Sequence, residues 1–201
     1  MKQRGFSLTE LAIVLAIIAV ALLSILNSQG LTSSANAKNV VAIVDDLRTA
    51  TVLFKQKYNY LPGDLPPPSN EFPGVTNVGN GDGSIGVTDD INAQGKALAG
   101  KESAVAPVQL FSAGLIGKIN GSSITTDYGS VNLVSNAIAD GLITGYTAAN
   151  PASQNAILFF NLPCDVVYEV DNKIDDGNYL TGHAIGTVCT NNIVQWYAVP
   201  L

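Results

Sequence analysis

Histidine is nearly absent: His183 is the only one in 201 residues. Acid/base sites and metal centres draw heavily on imidazole, so this scarcity removes most of them. No G-x-S-x-G elbow, H-E-x-x-H pair or P-loop occurs either. Cysteine is limited to Cys164 and Cys189. They lack C-x-x-C spacing and have no His/Cys cluster around them, which argues against zinc. Charge is sparse, at 13 % of residues, with 10 Lys and Arg scattered among 16 acids for a net −6. Phosphate backbones require clustered Lys and Arg, so general nucleic-acid binding is not expected. With no reactive cysteine beside a credible base, the chain reads as a non-enzyme, and His183 is expected to satisfy a loop hydrogen bond. There is no internal repeat.

What the chain does have is one long apolar run. Residues 6–26 are apolar except Ser7, Thr9, Glu10 and Ser24. As a helix, these 21 residues span about 31 Å, the thickness of a bilayer core. Lys2 and Arg4 precede the run and favour a cytoplasmic N-terminus, with the bulk of the chain outside. An ordinary secretory signal wants a small-residue cleavage site after the apolar core, but here Gly5 precedes it. A plain anchor leaves Glu10 unexplained, because a carboxylate at membrane depth costs roughly 2.5–3.5 kcal/mol and usually has a partner.

A basic head followed by Gly5-Phe6-Ser7-Leu8-Thr9-Glu10-Leu11 and an apolar stretch resembles the start of type IV prepilins and type II secretion pseudopilins. The resemblance is closest over residues 1–26, with departures at Thr9, often apolar in that family, and at Asn27, where many major pilins have proline. It implies cleavage by a prepilin peptidase between Gly5 and Phe6, with methylation of the new amine. It also implies that Glu10 pairs with the N-terminal amine of a neighbouring subunit during assembly. Two charges that are each costly in lipid offset one another when subunits dock. The implied partners are other pilin subunits, the prepilin peptidase and an inner-membrane assembly platform. Loss of Lys2 and Arg4 with the leader leaves 8 basic and 16 acidic side chains, a net −8.

Beyond the apolar run, Val40, Ile43, Val44, Leu47, Ala50, Phe54 and Tyr58 keep 3/4 spacing and predict an amphipathic helix. Gly30 and the Ser/Thr/Asn-rich stretch to Asn39 predict a local weakening or unwinding between the halves. Leu61-Pro62-Gly63-Asp64-Leu65-Pro66 predicts the stop. YNYLPGDLP resembles the segment after the long helix in a group of pilin-like proteins. A helix is expected over 103–115, with Pro107 in its first turn, Val108, Phe111 and Leu115 on its apolar face, and Gly114 or Gly117 at its end. Residues 157–162 and 193–199 predict strands, and 131–134 and 184–188 are weaker candidates. The aromatic residues of the last strand are expected in the core or in lattice contacts. Residues 164–177 fit a strand or a helix capped by Asp165, and the spacing of Val166, Val167, Val170 and Ile174 prefers the helix.

The fold class expected is therefore α+β and pilin-like. A long N-terminal helix, transmembrane then amphipathic, packs on a small antiparallel-sheet head. The divisions are a leader at 1–5, a transmembrane and assembly helix at 6–26, its amphipathic continuation at 27–60 and a head at 61–201. If the head is exported, a Cys164–Cys189 disulfide is expected, worth about 3.5 kcal/mol in the chain-entropy model. A disulfide-bounded C-terminal region is also a feature the resemblance implies, where it shapes the filament surface.

Two stretches are candidates for calcium. Taking Gly83 as position 6 of an EF-hand loop, Asn80, Asp82, Ile85 and Asp89 fit the spacing, while Val78 occupies position 1 and cannot ligate through its side chain. The alternative is a glycine-rich surface loop. Asp171, Asp175 and Asp176 either cluster around a cation or form a solvated turn. The DNKIDDG stretch that contains them, followed by TG, resembles a recurring C-terminal segment of pilin-like proteins.

Three functions follow: a type IV pilus subunit, a type II secretion pseudopilin, or a membrane-anchored adhesion or DNA-binding module that never polymerises.

Overall fold

The computed structural model describes residues 7–68, 71–87 and 89–201, with side chains throughout except at 23–31. Helix α1 runs from Leu8 to Tyr58, 51 residues, without a break. The expected unwinding near Gly30 does not occur. A glycine costs about 1 kcal/mol in a helix, and Ser, Thr and Asn less, whereas a break forfeits several backbone hydrogen bonds. The helix ends where Asn59 turns left-handed, φ 64°, and its N–H donates to the Lys55 carbonyl at 2.8 Å. Asn is among the few non-glycine residues that tolerate this conformation. The stop thus comes two residues before the Leu-Pro-Gly segment.

The lower half of α1 presents the predicted stripe. Ala37, Val40, Val44, Leu47, Ala50 and Phe54 are buried, while Ile43 and Tyr58 pack at its flanks. The ring of Phe72 closes the top of the stripe, 5.7 Å from Phe54 and 5.0 Å from Tyr58. Among the described residues no helix is long and apolar enough to cross a membrane. The expected span, 6–26, extends past them: Phe6 lies outside the described residues, as do the side chains from position 23.

Five strands form one antiparallel sheet: β1 (Ile124–Thr125), β2 (Ser130–Ser135), β3 (Asn155–Pro163), β4 (Ile185–Gly186) and β5 (Ile193–Pro200). Their order is β1-β2-β3-β5-β4. Leu133 opposes Ile157, and Ile157 opposes Val199. These three, with Val131, Phe159 and Tyr197, face the core that contains the α1 stripe. Ala156, Leu158, Trp196 and Ala198 face a second core, closed by α3 (Asn136–Leu142) and α4 (Tyr146–Ala149). Because both faces are covered, β3 and β5 read as unbroken apolar runs rather than alternating ones.

Helix α2 spans Glu102–Ser112 and ends in a Schellman motif at Gly114, with Leu115 N–H donating to the Leu110 carbonyl at 3.0 Å. Two expectations for it need correcting. Pro107 lies inside the helix, in its second turn, and Phe111 is exposed. The buried face instead carries Ser103, Ala104, Ala106, Pro107, Gln109 and Leu110. Buried Gln109 ties the stop segment down: its Oε1 accepts from Gly63 N–H at 2.6 Å and its Nε2 donates to Asn77 Oδ1 at 2.7 Å. Residues 164–174 resolve to the helical alternative, α5 (Cys164–Ile174), which lies against α1. Its cap position is Pro163, with no side-chain cap, and Asp165 falls in the first turn. Cys164 and Cys189 are disulfide-bonded.

Candidate functional site

The start of α1 collects the features that matter. The first N–H groups of any helix lack partners and carry the positive end of its dipole. Here Ser7 is the N-cap, in extended backbone, and Glu10 is the third helical residue. Ser7 N–H donates to Glu10 Oε2 at 2.8 Å, and Glu10 N–H donates to Ser7 Oγ at 3.2 Å. Thr9 Oγ1 lies 2.8 Å from Ser7 Oγ. This is a capping box, and it folds the Glu10 carboxylate back over the tip of the helix. Ser7 is thus a positioning residue that sequence reasoning missed. The S-x-x-E pattern of Ser7-Leu8-Thr9-Glu10 was the available signal.

Around that carboxylate the helix is apolar on every side. Leu8, Leu11, Ile13, Val14, Leu15, Ile17, Ile18, Val20 and Leu22 are all exposed, Leu8 at 92 %. A helix hydrophobic all round is one that other apolar matter covers, either a bilayer or other helices. The site therefore offers a long sticky cylinder with one anionic tip. Chemically it can accept a cation at Glu10 and bury apolar surface along its length. The processing residues Gly5 and Phe6 lie outside the described residues.

The second feature is the disulfide-bounded stretch. It encloses α5 and the turns that follow, and it exposes Tyr168, Leu180 and, next to Cys189, Val188 at 70 %. His183 Nδ1 lies 3.1 Å from the Ala149 carbonyl oxygen, the loop contact expected of it.

All the calcium candidates but Asp89 have other partners. In an EF-hand, oxygens converge on a cation. Here the N–H groups of Gly81, Asp82 and Gly83 converge on the buried carboxylate of Asp64, at 2.7, 3.2 and 2.9 Å. Asn80 and Asp82 bond each other, and exposed Asp89 takes a left-handed turn, φ 76°. Asp175 accepts backbone N–H groups from His183 and Ala184. Asp176 accepts from Asn178 N–H and Thr181 Oγ1. Asp171 faces inward and accepts from Tyr197 OH at 3.0 Å. Among the described residues no three His, Cys, Asp or Glu side chains are grouped so as to hold a metal ion.

Buried Asp171 carries a pH dependence. Burial pushes its carboxyl up from 3.8 to about 6; the Tyr197 hydrogen bond opposes this and the charges of Asp175 and Asp176 add to it. The raised value means folding favours the protonated acid. Its contribution to stability is complete below the unfolded value, near 4, and is lost as pH rises through 6. The span corresponds to roughly 3 kcal/mol. Asp171→Asn should therefore raise the melting temperature at pH 7.5 and flatten the stability profile between pH 4 and 7. A melting-temperature series across that range checks it, and an unchanged slope in the variant contradicts the assignment.

A family model described as the prokaryotic N-terminal methylation motif matches residues 1–26. No curated protein and no solved structure matches the chain. With Glu10 at the tip of an exposed apolar helix and an α+β head behind it, the chain carries the N-terminal methylation motif that is the hallmark of type IV pilins and pseudopilins.

Proposed function

We propose that this protein is a structural subunit of a type IV pilus-like filament, with no catalytic activity of its own. The observation that carries this is the helix 8–22, apolar and exposed all round, with Glu10 held at its tip by Ser7. The precursor waits in the bacterial inner membrane as a single-pass protein, its head outside the cytoplasm. Prepilin peptidase cuts after Gly5, Phe6 becomes the methylated N-terminus, and an inner-membrane assembly platform passes the subunit into the filament. The apolar helix then exchanges lipid for the helices of other subunits, at little net hydrophobic cost. Pairing of Glu10 with a neighbour's amine makes correct register the favourable one. The alternative is a type II secretion pseudopilin, which shares this N-terminus. The Cys164–Cys189 disulfide favours the pilus.

Gly5→Leu tests the processing step. A peptidase that accommodates glycine at the cut should be blocked by the branched side chain. The variant is expected to accumulate at precursor mass and to be absent from sheared filaments, as read by immunoblot and intact mass. Normal maturation of Gly5→Leu contradicts the cleavage assignment.

A further inference from the structure

We infer that a cleft on the side of the head, beside the kink in β3, binds a small neutral carbohydrate. The inference does not depend on filament assembly. The cleft has a volume of about 470 Å³ and lies between the β1–β2 turn, the 120–123 turn, the 94–97 turn and Phe160-Asn161 of β3.

Its walls are built and held. Ser130 Oγ donates to the Gly95 carbonyl, and Asn132 Nδ2 donates to the same oxygen at 2.9 Å. Gly95, at φ 72°, lies so close against the Phe160 ring that a Cβ would collide with it. Thr126 Oγ1 accepts from Gly129 N–H at 3.0 Å and closes the β1–β2 turn. The cleft is therefore preformed, which lowers the ordering cost of binding.

Its floor is kinked. Asn161 stands inside β3, between two regular pairs, Phe160 with Trp196 and Leu162 with Val194. Its φ is 59°, a left-handed conformation that asparagine tolerates better than most residues but that is rare within a strand. The kink places Asn161 on the lining of the cleft.

The lining chemistry identifies the ligand class. Gln94, Lys96, Asn120, Ser122, Asp127 and Asn161 line the cleft, and the side chains of all six lack hydrogen-bond and ion-pair partners among the described residues. Amides and hydroxyls both donate and accept, as the hydroxyl array of a sugar requires. Phe160 and Tyr128 add apolar ring surface for its C–H faces. Lys96 and Asp127 balance in charge, which disfavours phosphates and nucleotides; one carboxylate is too few for a cation.

The test uses the full chain in a detergent without a sugar headgroup. Lactose, cellobiose, chitobiose and maltose are titrated, and saturation-transfer NMR reads contact with the sugar protons. Trp196, the only tryptophan, lies 4.8 Å from the Phe160 ring and reports by fluorescence. At least one sugar should give saturable signals in both, with a dissociation constant in the millimolar range or below. Asn161→Gly keeps the left-handed backbone and removes the amide, and it should weaken binding at least about tenfold. The double variant Gln94→Ala with Asn120→Ala, on exposed turns, should do the same and serves if Asn161→Gly does not fold. No saturable signal from any of the four sugars, or wild-type affinity in the folded variants, overturns the proposal.

Discussion

Glu10→Val should insert into the membrane as well as the parent or better, and should not enter filaments. Removing the carboxylate relieves part of the roughly 2.5–3.5 kcal/mol that a charge costs at the centre of a membrane helix, so the membrane fraction of the precursor does not fall. The same change removes the only charge on the helix 8–22 and with it the ionic partner of a neighbour's amine. Apolar contacts alone slide along a uniformly apolar helix without fixing a register. The capping box supplies a sharper comparison. Glu10→Gln retains the hydrogen bond to Ser7 N–H, because glutamine serves at that position of the box, but it has no charge. If ion pairing directs assembly, the Glu10→Gln and Glu10→Val proteins are both missing from sheared filaments. If the Glu10→Gln protein assembles normally, Glu10 acts through the helix cap instead. Immunoblots of membrane and sheared fractions distinguish these outcomes.

Breaking the disulfide should give the largest loss of stability. In the chain-entropy model, closing the loop between Cys164 and Cys189 contributes about 3.5 kcal/mol. In a domain of this size that corresponds to roughly 7–14 °C in melting temperature. The loop also holds α5, whose Val166, Val167 and Val170 are buried in the core that contains the α1 stripe. The double variant Cys164→Ser, Cys189→Ser should melt lower by about that amount, and reductant should lower the parent protein to match. Strands β3 and β5 pair through Ala156 to Pro163 without help from the bond, so proteolysis of the reduced protein should begin in 175–190 rather than in the sheet. A melting temperature insensitive to both treatments contradicts this.

The elements that could be read from the sequence were those with a strong local period or a two-sided burial. The α1 stripe declared itself because six buried apolar positions from Ala37 to Phe54 follow helical spacing. Strands β3 and β5 declared themselves as apolar runs with aromatic residues. Helices α3 and α4 and the two-residue β1 went unread, since each is short and its burial comes from the sheet rather than from its own pattern. Phe111 misled for a related reason: its side is apolar, but the tight turn around Gly63 requires the small and polar face of Ala106 and Gln109. The loop at 80–89 fitted both a cation site and a glycine-rich turn, because ligand spacing says nothing about direction. The glycines that suit an EF-hand turn also let N–H groups point inward, and Asp64, 17 positions away from Gly81, supplies the charge they surround. Of the candidate site, Glu10 was legible as an acid where acids are costly. Ser7 was not, although its spacing to Glu10 is that of a capping box.

On the proposed function this chain is cut after Gly5 and polymerises through α1. Mass spectrometry of the N-terminal peptide, in cells with an active prepilin peptidase and in their sheared surface filaments, tests it most directly. The expected peptide begins with N-methylated Phe6 and is enriched in the filament fraction. A chain that retains Met1 and its leader, and is found only in the membrane, contradicts it and leaves an anchored domain that does not assemble.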